Sequence, residues 1–159
     1  MSDTKKYVFV LWGDGFDEAT ATTFVTELRE VGLPVKIVSL TAHQPKGKRG
    51  VALVSDLTLD QALPLAAHAR CIIIPADARW ENRYSQDPRF SDLCLQANGH
   101  QATFVVGKNH PSEKLFLNPQ EYNNILIYPP KKEILAFAQG LAAQLLQKNG
   151  IGQRDKAGQ

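Results

Sequence analysis

The sequence has few cysteines and no long apolar run. Cys71 and Cys94 are the only cysteines among 159 residues, and both stand in apolar patterns typical of buried, reduced thiols rather than of a disulfide framework. No apolar run reaches the ~20 residues that a membrane-spanning helix needs. The first residues, MSDTKK, lack the apolar core of a secretory signal. We therefore expect a cytoplasmic protein that does not bind membranes.

An excess of either charge is also missing. The 18 basic and 16 acidic residues give a net charge of +2 and are interspersed along the chain. The one short basic stretch, Lys46 to Arg49, is interpreted as a solvated turn, so no nucleic-acid partner is expected. His43, His68 and His100 are scattered, without a carboxylate or cysteine at metal-ligand spacing. We expect neither a metal site nor a cofactor.

The beginning of the chain contains a strand–helix–strand pattern. Tyr7 to Trp12 is an unbroken apolar run, typical of a strand that is buried on both faces. After Gly13-Asp14-Gly15 the apolar residues recur every three or four positions, as on one face of a helix that ends at Gly32. Val35 to Leu40 has the pattern of a second strand. Short connections between these elements predict a parallel βαβ unit with a right-handed crossover.

The same two periods alternate through the rest of the chain. They predict a doubly wound α/β sandwich with a mostly parallel sheet, formed by a single domain of residues 1–150 and followed by a disordered tail, 151–159. Thr58 is the expected N-cap of a short helix that is interrupted near Pro64. The other expected elements are strands at 51–54, 70–75, 102–106 and 124–128 and helices at 87–99 and 131–148.

Three stretches resemble the ThiJ/PfpI superfamily, which includes the Parkinsonism-associated deglycase. GFDEAT at 15–20 resembles the acidic loop after the first strand of that family. VALVSDLTLDQA at 51–62 resembles its edge hairpin and following helix, and IIIPAD at 72–77 resembles its strand ending in Pro-Gly-Gly. The resemblance implies a three-layer, class I glutamine amidotransferase-like (flavodoxin-like) fold and a homodimer.

The same resemblance implies that the catalytic residues of the family are missing. Its members use a nucleophilic cysteine on a strand-to-helix elbow, a nearby glutamate and an oxyanion hole. In this chain the elbow falls on Val106, Gly107 and Lys108, and the glutamate position falls on Thr20. The oxyanion-loop glycines are replaced as well. The resemblance therefore predicts a shortened, catalytically degenerate member with no catalytic residue of the family type.

Charged residues follow several of the predicted strands at their carboxyl ends, the edge where open parallel sheets bind ligands. Lys108 could form a Schiff base if it is buried, or it could form a salt bridge with the acidic loop. His110 could act as an acid or base, or it could be an ordinary turn residue. The hypothetical ligand-binding set is Asp14, Asp17, Glu18, Asp77, Lys108 and His110.

Aromatic residues stand on or beside the same loops. Trp12, Trp80 and Tyr84 are predicted either to line an apolar pocket for a small ligand or to lie in a subunit interface. The sequence does not decide between these alternatives.

Two functional hypotheses follow. In the first, the protein is non-catalytic and has a binding or regulatory role, with a small polar metabolite or another protein as its partner. In the alternative, it is a hydrolase or aldehyde-processing lyase that uses Lys108 with the acidic loop. A receiver-type domain is disfavoured because the strand that would carry its aspartate ends in Pro75.

Overall fold

Six strands form one sheet in the computed structural model, which describes residues 6–76, 84, 86–107 and 120–157, with the backbone alone beyond residue 148. In chain order the strands are β1 (Tyr7–Trp12), β2 (Val35–Ser39), β3 (Leu57–Thr58), β4 (Ala69–Ile74), β5 (Thr103–Gly107) and β6 (Ile125–Tyr128). All pairs are parallel, and the order across the sheet is β3-β2-β1-β4-β5-β6. The predicted fold class is confirmed.

Helices cover both faces of the sheet. They are α1 (Glu18–Glu30), α2 (Leu59–Ala62), a 3-10 helix (Leu63–His68), α3 (Pro88–Gly99), a second 3-10 helix (Lys131–Glu133) and α4 (Ile134–Ala157). Helix α1 packs against α4, whereas α3 packs against α2 and the first 3-10 helix. The connection from β1 to β2 and the connection from β3 to β4 run in opposite directions across the sheet. Because both crossovers are right-handed, α1 lies on one face and α2 with the first 3-10 helix lies on the other.

The central strands form the core because both of their faces are covered. Residues 8–12 of β1 have no exposed surface, and β4 is buried from Cys71 to Ile74. The helices begin where the sequence provides caps. Asp17 caps α1, Thr58 forms a capping box with Gln61 at α2, and Asp87 caps α3. These polar side chains satisfy amide groups at the helix starts that have no partner within the helix.

The structure differs from the prediction at one strand and at one helix end. Residues 51–54 do not form a strand, since the segment makes only an isolated antiparallel bridge between Lys46 and Ala52. The last helix continues through Asn149 and Gly150 to Ala157. A glycine inside a helix costs only about 1 kcal/mol relative to alanine, so it does not have to end one.

The carboxyl edge of the sheet brings distant parts of the chain together. Strands β1 and β4 are neighbours whose connections leave in opposite directions, so the switch point of the topology lies between them. The loop after β1 meets the segment after β4, because the Asp17 N–H donates to the Pro75 carbonyl at 2.9 Å. No helix in the described ranges is long and apolar enough to cross a membrane.

Candidate functional site

The β1–α1 connection together with the first residue of α1, residues 13–18, is here called the acidic loop. It is a tight turn in which the Phe16 N–H donates to the Gly13 carbonyl at 3.1 Å and Gly15 has a positive φ of 79°. Asp17 then accepts hydrogen bonds from the Ala19 and Thr20 N–H groups at 3.1 and 3.4 Å. The Gly13-Asp14-Gly15 sequence thus forms a tight turn, and Asp17 caps the helix that follows it.

Residues 43–51, here called the basic strap, lie along this acidic loop. The buried Glu18 carboxylate accepts the Arg49 N–H at 3.1 Å to each oxygen and the Val51 N–H at 3.1 Å. Gly47 packs so closely that an added Cβ would stand 2.6 Å from the Glu18 Cδ atom and 2.9 Å from the Phe16 carbonyl oxygen. Glu18 therefore fixes the backbone of the second half of the strap.

Asp17 holds the side chains of the same half. Its carboxylate lies 3.3 Å from Lys48 Nζ and 3.1 Å from Arg49 Nη1. Burial opposes ionisation of this carboxyl group. The charge of Lys48, together with hydrogen bonds from the Thr20 N–H and from the Lys48 and Arg49 side chains, outweighs burial and holds the pKa of Asp17 below its ordinary value.

Asp14 holds the first half of the strap. One carboxylate oxygen lies 2.6 Å from His43 Nε2, and the other accepts the Lys46 N–H at 3.1 Å. The Gly15 N–H in turn donates to the Lys46 carbonyl at 2.8 Å. The indole N–H of Trp12 donates to the Pro45 carbonyl at 3.3 Å. All three acidic side chains of the loop thus contact the basic strap.

Lys46, Lys48 and Arg49 are exposed, and residues 48–49 lie in a turn, as the interpretation of Lys46 to Arg49 as a solvated turn predicts. Lys48 and Arg49 pair with the acidic loop, and Gly47 is buried beneath them. The sequence contains a signal for this contact, since stretches of opposite charge follow β1 and β2, which are adjacent parallel strands. Loops at the same edge of a sheet meet, so the two charges would have been expected to pair.

The structure brings together only part of the predicted ligand-binding set. Asp14, Asp17 and Glu18 lie side by side, and all three contact the strap. Asp77, Lys108 and His110 fall outside the ranges that the structure describes, as does Trp80. For the remaining expected positions, Thr20 is buried in α1, Val106 is buried in β5, and Gly107 ends β5 at the carboxyl edge.

The aromatic residues near the edge belong to the core. Trp12 has no exposed surface, and Tyr84 is 5% exposed. Phe16 stands between them and makes edge-to-face contacts with Trp12 at 6.3 Å and with Tyr84 at 5.4 Å between ring centroids. Trp12 and Tyr84 therefore neither line an open pocket nor lie on a surface that a second subunit would cover, and both predicted alternatives are wrong for them.

Neither thiol is suited to nucleophilic chemistry. Cys71 lies in β4 and Cys94 in α3, and both are free and fully buried. Burial raises the pKa of each thiol to about 12, although Lys148 and Arg70 act in the opposite direction on Cys71. Because the thiolate is the nucleophilic form, both side chains are inert at neutral pH. The prediction of buried, reduced cysteines is confirmed.

Among the described residues, no three histidine, cysteine, aspartate or glutamate side chains are grouped so that they could hold a metal ion. The acidic loop in particular directs its oxygens to backbone N–H groups and to the strap side chains.

No protein-family model matches the sequence, and no curated protein matches it either. Solved structures do match. The DJ-1 superfamily protein STM1931 from Salmonella typhimurium has a TM-score of 0.75 at 17% identity, covering 89% of this chain and 91% of that one. Toxoplasma gondii DJ-1 has a TM-score of 0.74 at 15% identity, with 91% and 92% covered. The chain has the DJ-1 fold. Drosophila melanogaster DJ-1beta agrees, with a TM-score of 0.69 at 17% identity and with 96% and 97% covered.

The DJ-1 fold is what the resemblance to the ThiJ/PfpI superfamily implies, and that part of the prediction is confirmed. Identities of 15 to 17% concern the fold and not the activity. Any function of the chain has to be argued from its own residues.

Proposed function

We propose that this chain is a non-catalytic member of the ThiJ/PfpI superfamily with a binding or regulatory role. The state of its two thiols supports the proposal most directly. They are the only cysteines in the sequence, both are buried, and the pKa of each is raised to about 12. Thiol catalysis needs an accessible thiolate, which neither residue supplies.

The contacts of the acidic loop support the same proposal. A general acid or base must reach the proton that it transfers in the bound substrate. Glu18 instead accepts backbone N–H groups of the strap and is 6% exposed, while Asp17 caps α1 and pairs with Lys48 and Arg49. These carboxylates hold the acidic loop and the basic strap together. A partner that binds at the carboxyl edge of the sheet would therefore contact loops that are already in place.

A thiol titration tests the absence of family-type catalysis. In the native protein we expect no cysteine to react with a disulfide reagent within seconds, and two to react after unfolding in guanidinium chloride. Turnover of aldehydes and amides should equal the background rate. A fast native thiol, together with turnover that is lost in Cys71→Ser or Cys94→Ser, would contradict the proposal.

A second candidate function is an altered enzyme that uses Lys108. The position of β5 favours it, because this strand ends at Gly107 on the same edge as the acidic loop, and residue 108 follows directly. In such an enzyme the lysine amine would condense with a carbonyl substrate and release water to form an imine. Borohydride would reduce the imine to a stable secondary amine, which mass spectrometry would locate. Lys132→Arg is the control variant, and the lack of any Lys108 adduct at high aldehyde concentration would exclude this candidate.

A thermal-shift screen tests the binding role itself. Wild type, Lys108→Ala and the control Lys132→Ala would be screened against polar metabolites, amides and aldehydes. A ligand at about 100 times its dissociation constant stabilises the native state by about 2.7 kcal/mol. A shift that is lost only in Lys108→Ala would place the ligand at the elbow position. If no metabolite shifts the wild type, a protein is the expected partner.

We also propose a cytoplasmic homodimer, as the resemblance implies. Sedimentation equilibrium should then give twice the chain mass of 17.6 kDa. A monomer at tens of micromolar would contradict the proposed assembly and leave the binding role untouched.

A further inference from the structure

The two edges of the sheet end in different ways. Beside β2, the edge strand β3 has only two residues, and the Asp56 carboxylate accepts the Ile37 N–H there. At the other edge, β6 runs in a continuous register with β5 from Ile125 to Tyr128. The sequence has no charged residue between Glu121 and Lys131. Because natural sheets usually protect their edges with charges or bulges, the β6 edge has the features of a strand that pairs further.

The backbone of β6 presents unpaired groups on its outer side. The Phe104 N–H of β5 donates to the Asn124 carbonyl at 2.7 Å. Because successive peptide groups of a strand alternate in direction, Leu126 then directs its N–H and C=O to β5, whereas Ile125 and Ile127 direct theirs outward. No described residue forms a hydrogen bond to these outward groups.

The side chains of the same strand are apolar and partly exposed. Tyr128 packs edge-to-face against Phe24 of α1, with 5.9 Å between the ring centroids. Successive side chains of a strand point to opposite faces, so Leu126 lies on the α1 face with Tyr128, and Ile125 and Ile127 lie on the α3 face. Ile127 is 43% exposed. Apolar surface therefore stands directly beside the unpaired backbone groups.

Helix α3 extends this apolar surface. Asn98 of α3 donates to the Glu121 carbonyl at 2.8 Å and accepts the Asn123 N–H at 3.2 Å, so this flank of the helix faces the segment that enters β6. Leu95 precedes Asn98 by three residues and lies on the same flank. It is 52% exposed, so a second large apolar side chain is uncovered on this side of the molecule.

We propose that two copies of this chain associate through β6, which pairs antiparallel with β6 of the second copy about a twofold axis beside Leu126. This inference rests on the homodimer proposed above and names its surface. In this register Ile125 faces Ile127 of the second copy, and Ile127 faces Ile125 of the second copy. The two residues of each pair exchange both of their backbone hydrogen bonds, as in any hydrogen-bonded antiparallel pair.

The β6 edge is complementary to itself, which is why a second copy fits it. A twofold interface uses the same patch on both subunits, so each patch must supply both donors and acceptors. Ile125 and Ile127 each supply one N–H and one C=O, and the proposed register satisfies all of them. The isoleucines meet on the α3 face and the two Leu126 side chains meet on the α1 face. Apolar cross-strand pairs stabilise a sheet, and an uncharged strand brings no like charges together.

Ile127→Lys tests the surface, because it places an ammonium group in the apolar junction, where loss of its hydration is costly. In sedimentation equilibrium at tens of micromolar, this variant should have the single-chain mass of 17.6 kDa and the wild type twice that mass. Val54→Lys is the matched control. Val54 is 82% exposed and precedes β3 at the opposite edge of the sheet, so this variant should remain a dimer.

The outcomes separate the surface from the assembly. A dimeric Ile127→Lys variant would overturn the proposed surface and leave the homodimer standing. A monomeric wild type would overturn both. The non-catalytic binding role does not depend on either result.

Amide hydrogen exchange, followed by NMR and corrected for intrinsic rates, tests the pairing in the wild type itself. The Ile125 N–H should exchange at least about tenfold more slowly in the wild-type dimer than in the Ile127→Lys monomer, because only the dimer gives it a partner. The Leu126 N–H is the internal reference and should be protected in both proteins. Rapid exchange of Ile125 and Ile127 in a dimeric wild type would overturn the proposal. Equal protection of Ile125 in the monomeric variant would also overturn it, since the chain itself would then cover the edge.

Discussion

Glu18 fixes the path of a segment that lies about thirty residues further along the chain. Its carboxylate is buried at the start of α1 and accepts the N–H groups of Arg49 and Val51. A carboxylate at this position also interacts favourably with the positive end of the helix dipole. One acidic residue thereby stabilises both a helix start and the strap.

Glu18→Ala should lower the free energy of unfolding by about 2–3 kcal/mol, because hydrogen bonds to a charged group are lost and two backbone N–H groups are left without their partner. Urea denaturation measures the change. Glu30→Ala, at the exposed end of the same helix, is the control and should change the stability by less than about 0.5 kcal/mol. Equal effects of the two variants would show that the Glu18 contacts contribute nothing.

Gly47→Ala should destabilise the protein by about 1–3 kcal/mol, since the new Cβ would overlap the Glu18 carboxylate and the Phe16 carbonyl and force the strap outward. Gly140→Ala provides a control of opposite sign. This glycine lies inside α4 with open space around it, so alanine should stabilise the helix by about 0.5–1 kcal/mol. Thermal unfolding of both variants gives the signs directly, and a neutral Gly47→Ala would contradict the close packing.

Asp17 predicts a dependence of stability on pH. Its pKa in the folded protein lies below the ordinary value of 3.8, so the unfolded chain takes up a proton first as the pH falls. The stabilisation from the ionised carboxylate is therefore fully present above about pH 4 and is lost as the pH falls through the folded pKa. The stability difference between wild type and Asp17→Asn, measured by urea denaturation from pH 6 to pH 2.5, should shrink over that window. Asp92→Asn, an exposed change in α3, should show no comparable trend.

At the scale of secondary structure elements, the side chain of Asp56 forms a hydrogen bond to the backbone of β2 at the edge of the sheet. β3 has only two residues, and the residue before it, Asp56, completes the pairing. The backbone N–H of Asp56 donates to the Ile37 carbonyl at 2.8 Å. Its carboxylate accepts the backbone N–H of Ile37 at 2.8 Å and a guanidinium N–H of Arg29 at 2.8 Å. The Asp56 carboxylate thus accepts a backbone N–H of β2 that a further residue of β3 would otherwise pair with. The edge strand can therefore stay short.

Asp56→Ala should cost about 1–2 kcal/mol of unfolding free energy, because it leaves the Ile37 N–H of a buried strand residue without its acceptor. Asp60→Ala is the matched control. That side chain is 68% exposed and makes one ion pair with Arg89, so its loss should cost less than about 1 kcal/mol. If Asp60→Ala proved the more damaging of the two in urea denaturation, the assigned role of Asp56 would be wrong.

At the scale of the whole molecule, a single hydrophobic core joins the six strands and the four α-helices. The core includes residues from both faces of the sheet, among them Phe24 of α1 and Leu93 of α3, and the central strands β1 and β4 lie between them. No part of the described chain has a core of its own that is separate from this cluster. A cooperative unit of this kind unfolds as a whole.

Unfolding in urea should therefore give one transition with the same midpoint by far-UV circular dichroism and by tryptophan fluorescence. In a Trp80→Phe variant, the buried Trp12 reports alone on the centre of the sheet. Midpoints that differ between the two probes would indicate separate units and contradict a single core.

The sequence by itself determined the central strands, the starts of the helices and the lack of an accessible thiol among the described residues. Apolar runs such as Tyr7 to Trp12 need a place between two helical layers whatever their surroundings, and caps such as Asp17 and Thr58 act within a few residues of their own positions. Local physics of this kind can be read along the chain. The same holds for a cysteine inside an apolar pattern, whose burial follows from its neighbours.

Only the tertiary structure decided what the charged residues of the carboxyl edge do. The three carboxylates of Asp14, Asp17 and Glu18 are of a type that often binds ligands. In the structure they contact residues of the basic strap, which follows the adjacent strand β2. The end of the last helix at Ala157 and the burial of Tyr84 likewise could not be predicted from the apolar periodicity of the sequence. Side chains and backbone groups distant in sequence interact only after the sheet order has brought their loops together, and the free energy of those contacts depends on distances that local sequence does not set.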